Sequence, residues 1–410
     1  MKIGLSLSGG GFRATVFHLG VLARLAEEGR LEDVAALSTV SGGSLCVGLV
    51  YACNNFRWPT SAEFLNEVLP RVRHLLTTQD LEFALIGHVA KLPARLFHTR
   101  ADDLSLLMQK RWGMTARLQD LPPHPRWLIN ATCYETGRNW RFERSRMGDS
   151  AFGYTEDTDI PLSHALAASS GFPGLIGPLE FDTGSRAWFK PTVGHYGAGQ
   201  PIQPAHARLH LWDGGVYDNL GLEGMHSFLG GWQEDIDLLI VSDACAQVHQ
   251  EPYRAWKSAE RMVRGIMMEQ IRSLRFRALV ERSVNHGDRA CYLQIGQSRQ
   301  DVLSFLGLED EGPGAGLGCL SREEIDHAAG MGTDIRRVSA QDLQRLFRHG
   351  FEVADYTLEA CYPDDFRRLG YRYPSGSETE RPTARAIRPG LELKQRAQPL
   401  ISFFRAGVRS

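Results

Sequence analysis

The sequence has no CxxC pair, no apolar run of membrane-spanning length, no internal repeat and almost no net charge. Each absence removes a class of function. The seven cysteines, at Cys46, Cys53, Cys133, Cys245, Cys291, Cys319 and Cys361, are scattered. That spacing argues against a zinc site or a redox dithiol and reads as reduced, mostly buried thiols in a cytosolic protein. No stretch reaches the roughly 18 apolar residues that a transmembrane helix needs. The start, Met1-Lys2-Ile3-Gly4-Leu5-Ser6-Leu7, enters an apolar strand at once, so a signal peptide is not expected. The expected location is cytoplasmic, with lipid met from the water side. A formal net charge of −2 supplies no global field for nucleic acid, and that partner is set aside.

What is present suits a globular protein: 410 residues, 43% apolar and 23% charged. Ile3 to Leu7 reads as a strand closed by Gly9-Gly10-Gly11, and a helical stripe from Val16 to Leu25 follows. Val34 to Val40 reads as a second strand, broken by Ser41-Gly42-Gly43 and followed by a helix from Ser44 to about Ala52. This alternation predicts an α/β fold, with a central, mostly parallel sheet and helices on both faces. Residues of about 60–120 read as a helical insertion. Further strands are expected at Trp127–Thr132, Asn139–Phe142, Leu209–Trp212, Ile236–Val241 and Cys291–Ile295. Helices are expected at Pro161–Ser170, Tyr253 to about Val284, and Asp334–Ala360. Residues 176–206, rich in glycine and proline, read as an irregular excursion, and Gly307–Gly318 as a loop. Residues 1–370 are read as the folded domain and 371–410 as a flexible extension, with seven Lys/Arg against one acid from Arg381 onward.

Three strand-end motifs carry the chemistry. Ser41 stands on a sharp strand-to-helix turn, where a nucleophile is exposed and the helix N-terminus offers amide donors to a developing anion. The flanking Gly42 and Gly43 leave room for that turn. A serine there also serves simply as a helix N-cap. Ser8-Gly9-Gly10-Gly11-Phe12-Arg13 forms a second glycine turn. Its bare amides can converge on an oxyanion, while Arg13 either fixes the loop or adds positive potential. Asp213-Gly214-Gly215 ends a later strand, where a carboxylate is placed to act as a base or merely to make a turn. A serine usually relies on histidine, yet none of the fourteen histidines sits in a strand-end motif that pairs with Ser41. His18, His164, His210 and His226 have no better claim than the rest, so Asp213 becomes the candidate base, in need of partial desolvation.

A competing reading uses only the first loop. Gly9-Gly10-Gly11-Phe12-Arg13-Ala14 also fits the G-x-G-x-x-A variant of a dinucleotide fingerprint, with Glu32 or Asp33 about 20 residues on as the ribose ligand. That reading leaves the Ser41 turn unexplained.

Taken together and in this order, the motifs resemble the patatin-like phospholipase family. The likeness rests on Gly9-Gly10-Gly11-Phe12-Arg13, Thr39-Val40-Ser41-Gly42-Gly43 and Asp213-Gly214-Gly215. Ala165–Pro173 and Val216–Gly221 add to it, and it covers roughly residues 1–245. The resemblance implies a three-layer patatin-like fold and a Ser41–Asp213 catalytic dyad. It also implies an oxyanion hole drawn from Gly9, Gly10, Gly11, Arg13 and Gly42, with Gly43, Gly214 and Gly215 as motif glycines. The substrate would be a phospholipid or lysophospholipid, reached by transient contact with a membrane surface, with no metal or organic cofactor. Thr39 departs from the pattern, which has glycine there. It implies a slightly wider turn and leaves open a catalytically inactive, lipid-binding regulator. An apolar trough is expected to lead to Ser41. Leu81–Phe97 is a candidate lid or core helix, and Leu400–Phe404 in the basic tail a candidate membrane contact.

Overall fold

The computed structural model describes residues 1–82, 85, 99–192, 195–227, 231–232, 236–245, 252–258, 261–308 and 318–371. Most of Leu81–Phe97, residues 309–317 and the 372–410 tail lie outside these.

The chain opens with β1 (Ile3–Leu7), α1 (Gly11–Ala26), β2 (Val34–Val40) and α2 (Gly42–Cys53), the two strand–helix units that the glycine turns predict. Helices α3 (Leu69–Thr78) and α4 (Arg100–Trp112) make up the helical insertion. Next come β3 (Arg126–Cys133), β4 (Arg138–Phe142), β5 (Met147–Asp149), β6 (Gly153–Thr155) and α5 (Leu162–Ser169). Strands β7 (Leu179–Asp182), β8 (Trp188–Thr192), β9 (His195–Ile202) and β10 (Arg208–Asp213) follow, then α6 (Gly215–Asp218) and β11 (Leu238–Asp243). The last elements are α7 (Met268–His286), β12 (Ala290–Gln294), α8 (Arg299–Leu306), α9 (Arg322–Ala329) and α10 (Ala340–Cys361).

One mixed sheet organises these strands. Its centre, in the order β12-β11-β1-β2-β3, is parallel. Beyond β3 the sheet continues antiparallel through β4, β5, β6, β8 and β9. Strand period two divides the core between the faces. Ile3, Leu5, Leu7, Leu37, Leu238 and Ile240 join the large cluster that includes residues of α1, α2 and α10. Ala36, Leu239 and Val241 point the other way, onto Leu279 of α7 and the Leu220–Met225 segment. Helices therefore cover both faces, as the alternation requires. Where α1 crosses α10, a Cβ on Gly20 would come within 2.1 Å of the Phe347 carbonyl oxygen, and one on Gly350 within 2.0 Å of that of Phe17. Both positions need glycine for the helices to approach.

Three expectations are corrected. Residues 176–206 are not irregular but hold β7, β8 and β9. Phe181 and Trp188 bury their rings against Trp140, and that gain outweighs the weak strand propensity of the glycines and prolines. The helix expected from Asp334 begins at Ala340, where Ser339 accepts from the Asp342 amide at 3.1 Å and fixes the start. The helix expected from Tyr253 is regular only from Met268, after a π-helical stretch at Arg261–Met267.

Candidate active site

Ser41 joins β2 to α2 with φ 48° and ψ −115°, in backbone space that L-residues avoid. Such a residue carries about 1–3 kcal/mol of strain, which the surroundings must hold in place. Its side chain makes no capping bond to α2, so the plain N-cap reading does not describe it. Its amide instead donates to Ser169 Oγ at 3.0 Å, and its carbonyl accepts from Leu45 at 2.9 Å.

Asp213 reaches the same place by a route that parallel topology alone does not suggest. β2 runs along one flank of β3 as far as the Val40–Asn130 pair. β10 runs the opposite way along β3 and stops at the Asp213–Ala131 pair. The other flank of β3 is taken by β4 at those residues, so β10 occupies the flank that β2 has just vacated. The two chains thus end against each other, one on Ser41 and the other on Asp213.

The aspartate is fixed from all sides. Its amide donates to Gly171 O at 3.2 Å, and Thr132 Oγ1 donates to its carbonyl at 2.8 Å. Gly215 N donates to Oδ1 at 2.7 Å. The carboxyl is 2% exposed. Burial raises its pKa to about 7, against the pull of the Gly215 amide and the Ser41 hydroxyl, which both favour the carboxylate. The loop beyond it is held by the second face of the parallel strands. Ser6 donates to Leu220 O and Ser38 to Gly221 O, each at 2.6 Å.

The glycine loop closes the third side. A Cβ on Gly9 would stand 3.1 Å from Ser41 Cβ and 2.3 Å from Asn219 Oδ1. A Cβ on Gly42 would meet Gly11 O at 2.2 Å, so the N-termini of α1 and α2 abut. The Thr15 hydroxyl lies 3.1 Å from Gly11 O and 2.9 Å from Gly42 O and clasps the two. The amides of Gly9, Phe12 and Gly43 are committed to Asn219 O, Asp334 O and Ser8 O. Those of Gly10, Gly11 and Gly42 donate to no oxygen among the described residues. Gly9 thus contributes shape rather than a donor. Arg13 takes the loop-fixing role, its guanidinium donating to Met331 O at 2.8 Å and Ala244 O at 2.9 Å. Gly214 donates to Ser169 O at 3.3 Å, and a Cβ on Gly215 would meet Asn219 Oδ1 at 2.4 Å.

Among the described residues no histidine bonds either Ser41 or Asp213. His18 is fully buried, and its pKa is lowered to about 4 by burial. Nε2 lies 2.9 Å from Ser8 O, which can only accept, so the proton sits on Nε2 and Nδ1 accepts from Ser242 Oγ at 2.8 Å. It is a neutral prop under the loop. His210 pairs with Glu135.

The structure gives Thr39 a use that the sequence pattern does not disclose. Trp127 Nε1 donates to its hydroxyl at 2.9 Å, that hydroxyl meets Ser44 Oγ at 2.8 Å, and Ser44 meets Ser169 Oγ at 2.9 Å. Ser169 then receives the Ser41 amide, so the chain of hydroxyls ends on the strained residue. In the sequence Ser169 carries no signal beyond its place in the Ala165–Pro173 stretch. Thr39→Val keeps the shape but orphans the buried indole N–H. It is expected to cost about 1–3 kcal/mol, read from urea denaturation. An unchanged unfolding midpoint would show that the network carries no weight.

The dinucleotide reading does not fit this geometry. Glu32 and Asp33 precede β2 and so lie at the opposite end of the sheet from Gly9–Gly11. Glu32 accepts from the amide and hydroxyl of Ser61, and Asp33 pairs with Arg30 at 3.0 Å. Ser41 is only 8% exposed, so the site is nearly closed. A cavity of about 540 Å³ lies away from it, between α7, β12, α8 and α10, with Phe276, Val280, Tyr292, Phe305 and Tyr362 in its wall. The apolar trough expected at Ser41 is therefore not this cavity. Among the described residues no group of three or more His, Cys, Asp or Glu side chains is arranged to hold a metal. No described helix is long and apolar enough to cross a membrane.

The model of the Patatin-like phospholipase family matches residues 5–226, which contain all three motifs. A comparison with curated proteins finds no match. Among solved structures, human GIVD cytosolic phospholipase A2 is similar at a TM-score of 0.50 and 16% identity, over 89% of this chain and 59% of that one. This chain thus spans a little under two thirds of the human enzyme's length. VipD from Legionella pneumophila aligns at a TM-score of 0.37 and 13% identity, over 88% of this chain and 67% of its own.

Proposed function

This chain belongs to the patatin-like phospholipase family, and from that premise we propose that it hydrolyses acyl esters of phospholipids or lysophospholipids with Ser41 as nucleophile and Asp213 as base. The reading is supported chiefly by the meeting of β2 and β10 on one flank of β3, which sets Ser41 against a buried carboxyl without a histidine among the described neighbours. The acyl hydrolase domain is taken as residues 1–370, with 371–410 as an appended tail.

Asp213 takes the hydroxyl proton as Ser41 Oγ bonds to the ester carbonyl carbon. A pKa near 7 serves this role, since the carboxyl is basic enough to accept a proton and still substantially ionised at neutral pH. The unspent amides of Gly10, Gly11 and Gly42 receive the oxyanion, at the abutting N-termini of two helices. Collapse of the tetrahedral intermediate breaks the bond to the glycerol oxygen, which leaves with the proton from Asp213. Water then attacks the acyl-enzyme, with Asp213 again as base, and fatty acid departs as Ser41 regains its proton. No step calls for a metal or an organic cofactor.

Product analysis by mass spectrometry across a panel of phospholipids and lysophospholipids tests this. Free fatty acid and the matching lyso or glycerophospho product are expected in equal amounts. Absence of both from every lipid, with folded protein, would leave the lipid-binding regulator as the better account.

A further inference from the structure

We propose that the exposed apolar side chains of residues 253–257 and 261–274 form the surface by which this protein docks on an anionic phospholipid bilayer, bringing the end of the sheet that carries Ser41 to the lipid. This deepens the hydrolase reading above and rests on it.

The placement follows from register. Leu7 pairs with Thr39 on one side and Ser242 on the other, so β1, β2 and β11 end level with one another. Ser41, the Gly9–Gly11 loop and Asp243 therefore share one end of the sheet. α7 links the end of β11 to the start of its parallel neighbour β12, so its N-terminus lies at that same end. Arg272 pins it there, donating to Asp243 Oδ2 at 2.7 Å, and Tyr292 donates to the same oxygen. Met267 has helical φ and ψ, so the π-helical stretch from Arg261 continues the rod of α7. At roughly 1.5 Å per residue, the rod reaches about 16 Å past Arg272.

The side chains of this helix and of residues 253–257, which precede it in the chain, are unusual for a surface. Eleven large apolar residues are exposed among the described residues, and seven of them fall here: Tyr253, Trp256, Met262, Val263, Ile266, Met267 and Leu274. Tyr253 is 84% and Trp256 78% exposed. Val263, Met267 and Leu274 recur at helical spacing, the kind of stripe that folding normally buries.

The chemistry commits this face to one occupant. Arg254 is exposed, and the Lys257 ammonium lies 4.8 Å from the centre of the Trp256 ring. Aromatic rings with a polar edge settle at headgroup depth, aliphatic side chains enter the acyl boundary, and lysine and arginine meet anionic phosphate. With no described helix able to span a bilayer, such contact is interfacial. A docked face at the Ser41 end also suits a nearly closed site whose ester substrate sits in the lipid phase.

The test uses the full-length protein and sucrose-loaded vesicles of non-hydrolysable ether-linked lipids, either zwitterionic or with added phosphatidylglycerol. Wild-type protein is expected to sediment with the anionic vesicles and to be released by salt. The double variant Trp256→Ser, Met267→Gln is expected to bind roughly tenfold more weakly or worse, since it removes two apolar side chains from the lipid contact. Its turnover of a soluble short-chain ester should remain at the wild-type level. Unchanged vesicle binding in the variant would overturn the proposal. So would loss of a dimer on light scattering, which would assign the face to a second copy of the chain. If wild-type protein fails on the soluble ester, the hydrolase reading fails, whatever the vesicles show.

Discussion

Asp213→Asn is expected to abolish ester hydrolysis while stabilising the fold at neutral pH. Both effects follow from one buried carboxyl whose pKa is about 7 instead of the ordinary 3.8. Below pH 4 the group is protonated in folded and unfolded chains alike and has no differential effect. Between pH 4 and 7 the unfolded chain ionises first, so the fold loses stability as pH rises. Above 7 both are ionised and the full penalty applies, on the order of 4 kcal/mol as an upper bound. Asparagine carries no charge and keeps an oxygen for the Gly215 amide, so the gain should grow from pH 4 to 7 and then level off. Urea unfolding at pH 4.5, 6 and 8 reads it. The same substitution removes the proposed base, with an expected loss of about 10³–10⁴ in kcat. In the wild-type protein, kcat/KM should rise through pH 7 to a plateau as the carboxyl loses its proton. A variant that is both inactive and no more stable at pH 8 would show that burial does not penalise this carboxylate.

Ser41→Ala is expected to be the most damaging change to activity and among the mildest to structure. Removing Oγ takes away the atom proposed to bond to the acyl carbon, and losses of about 10⁴–10⁶ in kcat are usual where a nucleophile is deleted. The backbone contacts that hold the turn, Ser41 N to Ser169 Oγ and Leu45 N to Ser41 O, do not involve the lost atom. Alanine and serine pay a similar cost at φ 48°, so the unfolding midpoint should stay close to that of the wild-type protein. If Ser41 and Asp213 act as the proposed unit, the double variant with Asp213→Asn should be no less active than Ser41→Ala alone. Multiplicative losses would mean that the two side chains act independently.

The first two strand–helix units are legible in the sequence because Ile3–Leu7 and Val34–Val40 are short apolar runs cut by glycine, and both halves of that signal are local. The three site motifs are legible for the same reason, since each lies at a strand end marked by consecutive glycines. The meeting of Ser41 with Asp213 is not. It depends on β10 filling the flank of β3 that β2 leaves empty, a pairing across 81 residues that no local pattern encodes. Strands β7 to β9 were hidden because their glycines and prolines argue against strands, while the aromatic burial that decides the matter is long-range. Thr39 reads as a departure from the motif because a motif compares residue types and is blind to partners. Its hydroxyl acquires meaning only with Trp127, Ser44 and Ser169 around it. For Arg13 the sequence leaves loop-fixing and added positive potential both open, and the carbonyls of Ala244 and Met331 that take its guanidinium decide for the first.

Whether Ser41 is an activated nucleophile at all is tested most directly by a fluorophosphonate probe, with the labelled peptide located by mass spectrometry. One adduct on Ser41 is expected, absent from Ser41→Ala and formed more slowly below pH 7 as Asp213 takes up its proton. Equal labelling of wild-type and Ser41→Ala protein, or none in a folded wild-type protein, would contradict the account.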